Sequence, residues 1–167
     1  MKKIKEVFSD YNAGENLKNA EVEAVILSKK TKTLELKIKS DRYLDIKDIK
    51  CFNDFIKKRF SLDDSKIVVN YGDGANKRPI QDELSSIVRL LTEEYPALKS
   101  ALSSSEYAVD GIIINFSFKH AVSDILRNKG YDKIIQEAIK KLYGENYQIN
   151  FVDNISSEEF IKQHENE

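Results

Sequence analysis

Few side chains in this 167-residue sequence have the types and spacing that catalysis or metal binding requires. A nucleophile needs a neighbouring base, yet the histidines are His120 and His164 and the single cysteine, Cys51, lies in an apolar helical pattern. We expect Cys51 to be a buried structural thiol. A metal site needs several ligands at fixed spacing, whereas adjacent carboxylates diverge on a helix or a strand. These adjacent pairs are Asp63-Asp64, Glu93-Glu94 and Glu158-Glu159.

The glycines likewise offer no phosphate cradle. Gly72-Asp73-Gly74 lacks the GxGxxG or GxxxxGK continuation that leads a phosphate-binding loop into a helix, so it predicts a flexible connector. The pattern of polar residues therefore predicts that this chain is not an enzyme and that it binds neither a metal nor another cofactor.

One polar cluster does have a functional pattern. The loop 127–130 (RNKG) joins two predicted helices and combines cationic side chains with a glycine. Such a loop can hold a nucleic-acid backbone, because glycine allows close approach to the phosphates and cationic groups bind them. An ordinary solvated loop is the alternative, since acidic side chains are also frequent in this part of the chain. The candidate nucleic-acid-binding residues are Lys119, His120, Arg127, Lys129, Gly130 and Lys133.

The overall composition narrows the functional classes. Lys and Arg nearly balance Asp and Glu, and the formal net charge of −1 does not draw the whole molecule onto nucleic acid or an anionic membrane. A lone cysteine excludes an internal disulfide and fits a reducing compartment. No apolar run approaches the roughly 18 residues of a membrane span, and the start of the chain lacks the apolar core of a secretory signal. We expect a soluble, cytoplasmic protein with no membrane partner.

The first 72 residues predict a small β-β-α-β unit. Residues 1–20 are polar and should form a short helix or a loose arm. Alternation predicts a strand with one well-buried face over 21–30, a second strand paired to it as a hairpin, and a third strand over 65–71. Asp45 is the expected N-cap of the intervening amphipathic helix. Its apolar stripe is Ile46, Ile49, Phe52, Ile56 and Phe60, and that of the second strand is Leu34, Leu36 and Ile38.

The rest of the chain predicts a second unit. Turn-forming residues place a linker at 73–79, and residues 80–153 have the order α-β-β-α-α-β, which is that of a KH-like type II module. Ile112, Ile114, Phe116 and Phe118 alternate in the clearest strand pattern of the sequence. Residues 154–167 are an acidic tail or linker. The fold class is therefore α+β, with two small α/β sandwich-like units.

The order of these patterns resembles the N-terminal region of the PolC-type DNA polymerase III alpha subunit. Residues 21–71, with AVILSKKTKTLELKIKS, FNDFIKKRF and SKIVVNY, resemble the first N-terminal domain of that family and also the C-terminal domain of the clamp-loader tau subunit. Residues 95–152, with YPALKSAL, GIIINFSFKHAVSDIL and AIKKLYGENYQINFV, resemble its KH-like second domain. The GxxG loop of KH domains is incomplete here, because Arg127 replaces its first glycine while Gly130 keeps the last.

The resemblance implies a part in DNA replication. Full-length members are DNA-directed DNA polymerases with a 3'-5' exonuclease, and their metal-binding carboxylates lie further along and match no position here. The implied role is docking to replisome proteins (the clamp loader, the helicase or the clamp) together with weak contact to single-stranded DNA. A freestanding KH-like nucleic-acid-binding protein is the alternative, and a small enzyme with a deep polar pocket is the third hypothesis.

Overall fold

The computed structural model describes residues 1–72, 77–155 and 162. The chain divides into two compact units, one made of Met1–Ser86 with Lys141–Gly144, the other of Ile87–Lys140 with the residues from Glu145 onward. Each unit holds one three-stranded mixed sheet, and the predicted α+β class and both element orders are confirmed. Most of the predicted linker and tail lies outside the described residues, so the predicted domain boundaries stay predictions.

The first unit builds its sheet from a hairpin and a helical crossover. Strand β1 pairs antiparallel with β2, and β3 pairs parallel with β2 on the other side. A parallel pair requires a crossover connection, and α3 supplies it. The elements are α1 (Ile4–Val7), α2 (Glu15–Asn19), β1 (Glu21–Ser28), β2 (Thr33–Ser40), α3 (Ile46–Arg59) and β3 (Asp64–Tyr71).

Local sequence signals account for the centre of this unit. The Asp45 carboxylate accepts a hydrogen bond from the Lys47 backbone amide at 2.8 Å, which confirms the predicted N-cap of α3. The alternating side chains of β2 and the apolar stripe of α3 meet in one core, as predicted. That core buries Leu34, Leu36, Ile38, Ile49, Phe52 and Ile56, and the N-terminal segment adds Ile4, Phe8 and Leu17 to it.

Three expectations for the first unit are wrong. Strand β1 is not well buried, because it lies at the sheet edge and Val22 alone of its side chains packs against the core. Cys51 is exposed, since it lies about 200° around α3 from Ile49 and so faces away from the buried stripe. Phe60 is 48 % exposed, because α3 ends at Arg59 and Phe60 caps it outside the stripe.

The second unit repeats the arrangement of a hairpin followed by a parallel strand. Strand β4 (Glu106–Asp110) pairs antiparallel with β5 (Ile113–Phe118), and β6 (Gln148–Asp153) pairs parallel with β5. Two helices make the crossover, α6 (Ser123–Asn128) and α7 (Tyr131–Tyr143). Ahead of the hairpin in the chain lie α4 (Ile80–Glu94), whose residues up to Ser86 belong to the first unit, a 3-10 turn at Pro96–Leu98, and α5 (Lys99–Leu102). None of the helices in the described ranges is long and apolar enough to cross a membrane.

The core of this second sheet follows the predicted alternation of β5 with one exception. Ile114, Phe116 and Phe118 are buried, and the rings of Phe116 and Phe118 pack edge-on against the Phe151 ring of β6. Ile112 does not join them. It lies in the β4–β5 turn and is 62 % exposed, so its predicted place in the strand is wrong.

Replacing Leu36 with alanine should lower the free energy of unfolding by about 2–5 kcal/mol, because this fully buried side chain lies in the middle strand of the first sheet. Val25→Ala is the matched control, since Val25 is the cross-strand partner of Leu36 but is 54 % exposed. We expect it to cost less than about 1 kcal/mol. Urea unfolding followed by circular dichroism measures both, and equal losses would contradict the edge position of β1.

Candidate functional site

The predicted nucleic-acid loop connects α6 to α7 through a glycine in a left-handed conformation. Gly130 has φ +73°, and its amide donates to the Arg127 carbonyl at 2.9 Å, while the Lys129 amide donates to the Ile125 carbonyl at 3.1 Å. Nothing lies within 4 Å of the position that a Cβ would take at residue 130. Gly130 is therefore needed for its backbone conformation, and the space in front of it is open.

Strand β6 fixes the start of helix α6. The Asp153 carboxylate accepts hydrogen bonds from the Val122 and Ser123 amides, both at 3.1 Å, and from the Ser123 hydroxyl at 2.6 Å. A six-residue helix has little stability of its own, and its first amides need acceptors. Asp153 supplies them from 30 residues away in the chain.

Arg127 is engaged in holding the other end of α6. Its Nη1 atom lies 3.0 Å from Asp124 Oδ1, and its Nη2 atom donates to the Phe151 carbonyl at 3.0 Å. The guanidinium thus joins α6 to β6 and has a structural function in this unit. Its predicted role in nucleic-acid binding stays a prediction, and a phosphate would have to compete with these two contacts for the guanidinium.

The other predicted site residues are exposed but do not form a single cluster. Lys119 and His120 directly follow β5, next to the start of α6, whereas Lys129 and Lys133 lie beyond its end. The six residues of α6 separate the two groups by about 9 Å along the helix axis. Asp124, whose side chain is 89 % exposed, adds negative charge between them.

A second candidate surface lies at one end of the first unit, where sequence reasoning expected a buried strand. Val25, Ile26 and Leu27 of β1 are 54 %, 51 % and 52 % exposed. Leu27 pairs with Leu34, and the neighbouring Thr33 pairs with Asp64, which follows Phe60 by four residues in the chain. The exposed end of β1 and the exposed Phe60 ring therefore lie at the same end of the sheet. We call Val25, Ile26, Leu27 and Phe60 the apolar patch.

The sequence did contain a signal for this patch. Three consecutive apolar residues in a strand cannot all face one core, because successive side chains point to opposite faces of the sheet. Ile26 pairs with Glu35 on the face opposite the helices, so it must face solvent in a sheet that is covered on one side. What the sequence could not show is that Val25 and Leu27, on the covered face, are also about half exposed.

An arginine orders the aromatic part of the patch. The Arg59 guanidinium lies 5.7 Å from the centroid of the Phe60 ring and equally far from that of Phe55, and it also pairs with Asp10. The hydrogen bond from Arg59 holds the pKa of the Asp10 carboxyl below its ordinary value. Aromatic rings next to arginine are typical of protein interfaces.

A buried carboxylate in the first unit is engaged in structure. Glu83 is 3 % exposed and accepts a hydrogen bond from the Tyr43 hydroxyl at 2.7 Å. Burial and this acidic neighbour together raise the pKa of Tyr43 well above its usual range. Within the described ranges, no three or more His, Cys, Asp or Glu side chains converge as a metal site would require.

Comparison with known families accounts for nearly the whole chain. A family model described as "DNA polymerase III polC-type N-terminus I" matches residues 3–71, and one described as "DNA polymerase III polC-type N-terminus II" matches residues 82–167. Searches of curated proteins and of solved structures found no match.

We expect Asp153→Ala to destabilise the second unit by about 1–2 kcal/mol, because two amides at the start of α6 and the Ser123 hydroxyl lose their acceptor. The control is Asp124→Ala on the same helix, which removes only an exposed ion pair worth less than about 1 kcal/mol. Native-state hydrogen exchange at the Val122 and Ser123 amides reports the local effect. Unchanged exchange in Asp153→Ala would refute the capping role.

Proposed function

The chain belongs to the N-terminal region of PolC-type DNA polymerase III, and from this membership we propose that it is a non-catalytic docking module of that polymerase in DNA replication. Docking here means binding to other proteins of the replication machinery in the cytoplasm. The apolar patch of the first unit is the observation that supports this role most directly.

The chemistry of the patch suits a protein partner better than a small molecule. Three neighbouring β1 side chains and one aromatic ring are each about half exposed at one end of the sheet, whereas small ligands prefer concave sites that bury most of their surface. Interface centres are apolar and enriched in aromatic residues and arginine, and Arg59 against Phe60 has this composition. The partners we propose are the clamp loader, the helicase or the clamp.

The docking proposal predicts that one of these three proteins binds the chain with a dissociation constant below tens of micromolar. The double variant Ile26→Ser with Phe60→Ser should weaken this binding at least tenfold, since it removes an exposed apolar side chain from the strand and the exposed ring from the end of α3. NMR titration of the ¹⁵N-labelled chain against each protein measures both.

The matched control for this experiment is Ile112→Ser with Ile125→Ser, two comparably exposed isoleucines of the second unit. It should leave the affinity unchanged. If none of the three proteins binds at tens of micromolar, or if the control variant weakens binding as much, the docking proposal fails.

Contact with single-stranded DNA is a second candidate function, favoured by the exposed lysines around α6. No ion pair engages Lys119, Lys129 or Lys133 within the part of the chain that the structure describes, so they are available to phosphates. Arg127 is less suited, because its guanidinium already binds Asp124 and the Phe151 carbonyl.

For this second candidate we expect weak, salt-dependent binding to an oligothymidylate. Replacing the three lysines with alanine should lower the slope of log affinity against log salt by about 2, since each lost phosphate contact removes about 0.7 on single strands. Alanine at the exposed Lys47, Lys57 and Lys58 of the first unit is the charge-matched control. Fluorescence anisotropy at several salt concentrations measures this slope, and flat titrations at low salt would exclude this function.

A further inference from the structure

One edge of the first sheet is covered over only part of its length. The N-terminal segment lies along the start of β1, where the Val22 amide donates to the Lys2 carbonyl at 2.8 Å and the Ile4 amide donates to the Ala20 carbonyl at 2.9 Å. Lys3 and Glu21 form the antiparallel bridge between these bonds. Past Val22, the described residues place no strand on the side of β1 opposite β2.

The backbone groups of the uncovered part can be assigned from the register. The Val22 amide donates to Lys2, away from β2, so Val22 and its partner Ile38 are not hydrogen-bonded to each other and the Ile38 backbone groups point to β3. Because the direction of these groups alternates along a strand, those of Leu36 and Leu34 also point to β3. The β1 register shifts by one residue at Glu23. The residues paired with Leu36 and Leu34, which are Val25 and Leu27, therefore direct their N–H and C=O groups away from the sheet.

Such an open edge is usually protected. Natural sheets protect their edges with charged side chains, bulges or a covering segment, because unpaired strand groups bind other strands. The start of β1 has all three devices, in Glu21, the shift at Glu23 and the segment at residues 2–4. The stretch from Val25 to Leu27 has none of them and presents apolar side chains on both faces.

The charges around this stretch indicate what would bind there. Lys29, Lys30 and Lys32 in the turn that directly follows β1 are exposed, and no ion pair engages them among the described residues. On the outer face of the sheet, by contrast, Lys37 pairs with Glu35 at 3.5 Å. The open edge thus combines unpaired strand groups and apolar side chains with three exposed lysines at one end that no ion pair engages among the described residues.

We propose that the β1 edge from Val25 to Leu27 binds an extended segment of a partner protein by strand addition, a segment with apolar residues at alternate positions and acidic residues that reach Lys29, Lys30 and Lys32. Main-chain hydrogen bonds give such complexes their affinity, and the alternate side chains give their specificity. This inference rests on the docking role proposed above and specifies its binding mode and the chemistry of the partner segment.

A synthetic peptide of four Asp-Val repeats is the probe. Titrated into the ¹⁵N-labelled chain, it should shift the Val25 and Leu27 amides and slow their hydrogen exchange, because these amides become hydrogen-bonded. A peptide of four Lys-Val repeats, with the same strand propensity and the opposite charge, should bind at least tenfold more weakly. Equal binding of both peptides, or shifts confined to other strands, would overturn the proposal.

Two variants separate the backbone from the side chain at the edge. Leu27→Pro removes an outward amide that β2 does not use and should weaken peptide binding at least tenfold, whereas Leu27→Ala keeps the amide and should weaken it less than threefold. Charge reversal at Lys29, Lys30 and Lys32 provides a second test that leaves the strand intact, should the proline disturb the fold. Acidic-peptide binding that survives this reversal contradicts the proposed partner chemistry.

The outcomes also separate this inference from the docking role. If a replisome protein binds and Ile26→Ser with Phe60→Ser weakens it while Leu27→Pro does not, docking stands and strand addition is refuted. If the peptide binds at the edge but no replisome protein binds, the docking role fails alone. A dimer in analytical ultracentrifugation that Leu27→Pro abolishes would assign the edge to a second copy of this chain and overturn the proposal.

Discussion

In a sheet of three strands with helices on one face the middle strand is the best buried, and this constraint shapes both units. Residues of β2 and β5 alternate strictly between buried and half-buried, because each has a neighbour on both sides and helices over one face. The edge strands β1 and β4 lack this cover and bury no side chain completely. The apolar residues near the end of β1 are thus exposed, which is why the apolar patch includes three of them.

The basic loop of the second unit follows from the connection that its parallel strand requires. Both sheets place a parallel strand beside the middle one, so both need a crossover on the helical face. In the first unit the single helix α3 makes it, whereas in the second the crossover is broken into α6 and α7 at Gly130. A helix as short as α6 needs fixing at both ends, and Asp153 and Arg127 do this through their hydrogen bonds.

The sequence predicted what depends on local patterns and missed what depends on distant partners. The alternation of Leu34, Leu36 and Ile38 and the capping by Asp45 are properties of a few consecutive residues, so they could be predicted. The exposure of Val25 follows from the edge position of its strand, and the engagement of Arg127 follows from a carbonyl 24 residues away. Neither is a pattern of neighbouring residues. Cys51 is different, since the helical angle from Ile49 already places it on the outer side of α3.

The segment at residues 2–4 explains why the open edge suits a foreign strand better than a second copy of the chain. Two β1 edges pairing antiparallel around Ile26 would each bring their own N-terminal segment to the end of the overlap, where it already occupies the outward bonds of Ala20 and Val22. Only the few residues beyond Val22 would then pair, which gives few hydrogen bonds for the entropy lost on association. A separate extended segment meets only one such N-terminal segment and can continue past Leu27 to the lysines. The arm that protects one half of the edge thereby disfavours self-association through the other.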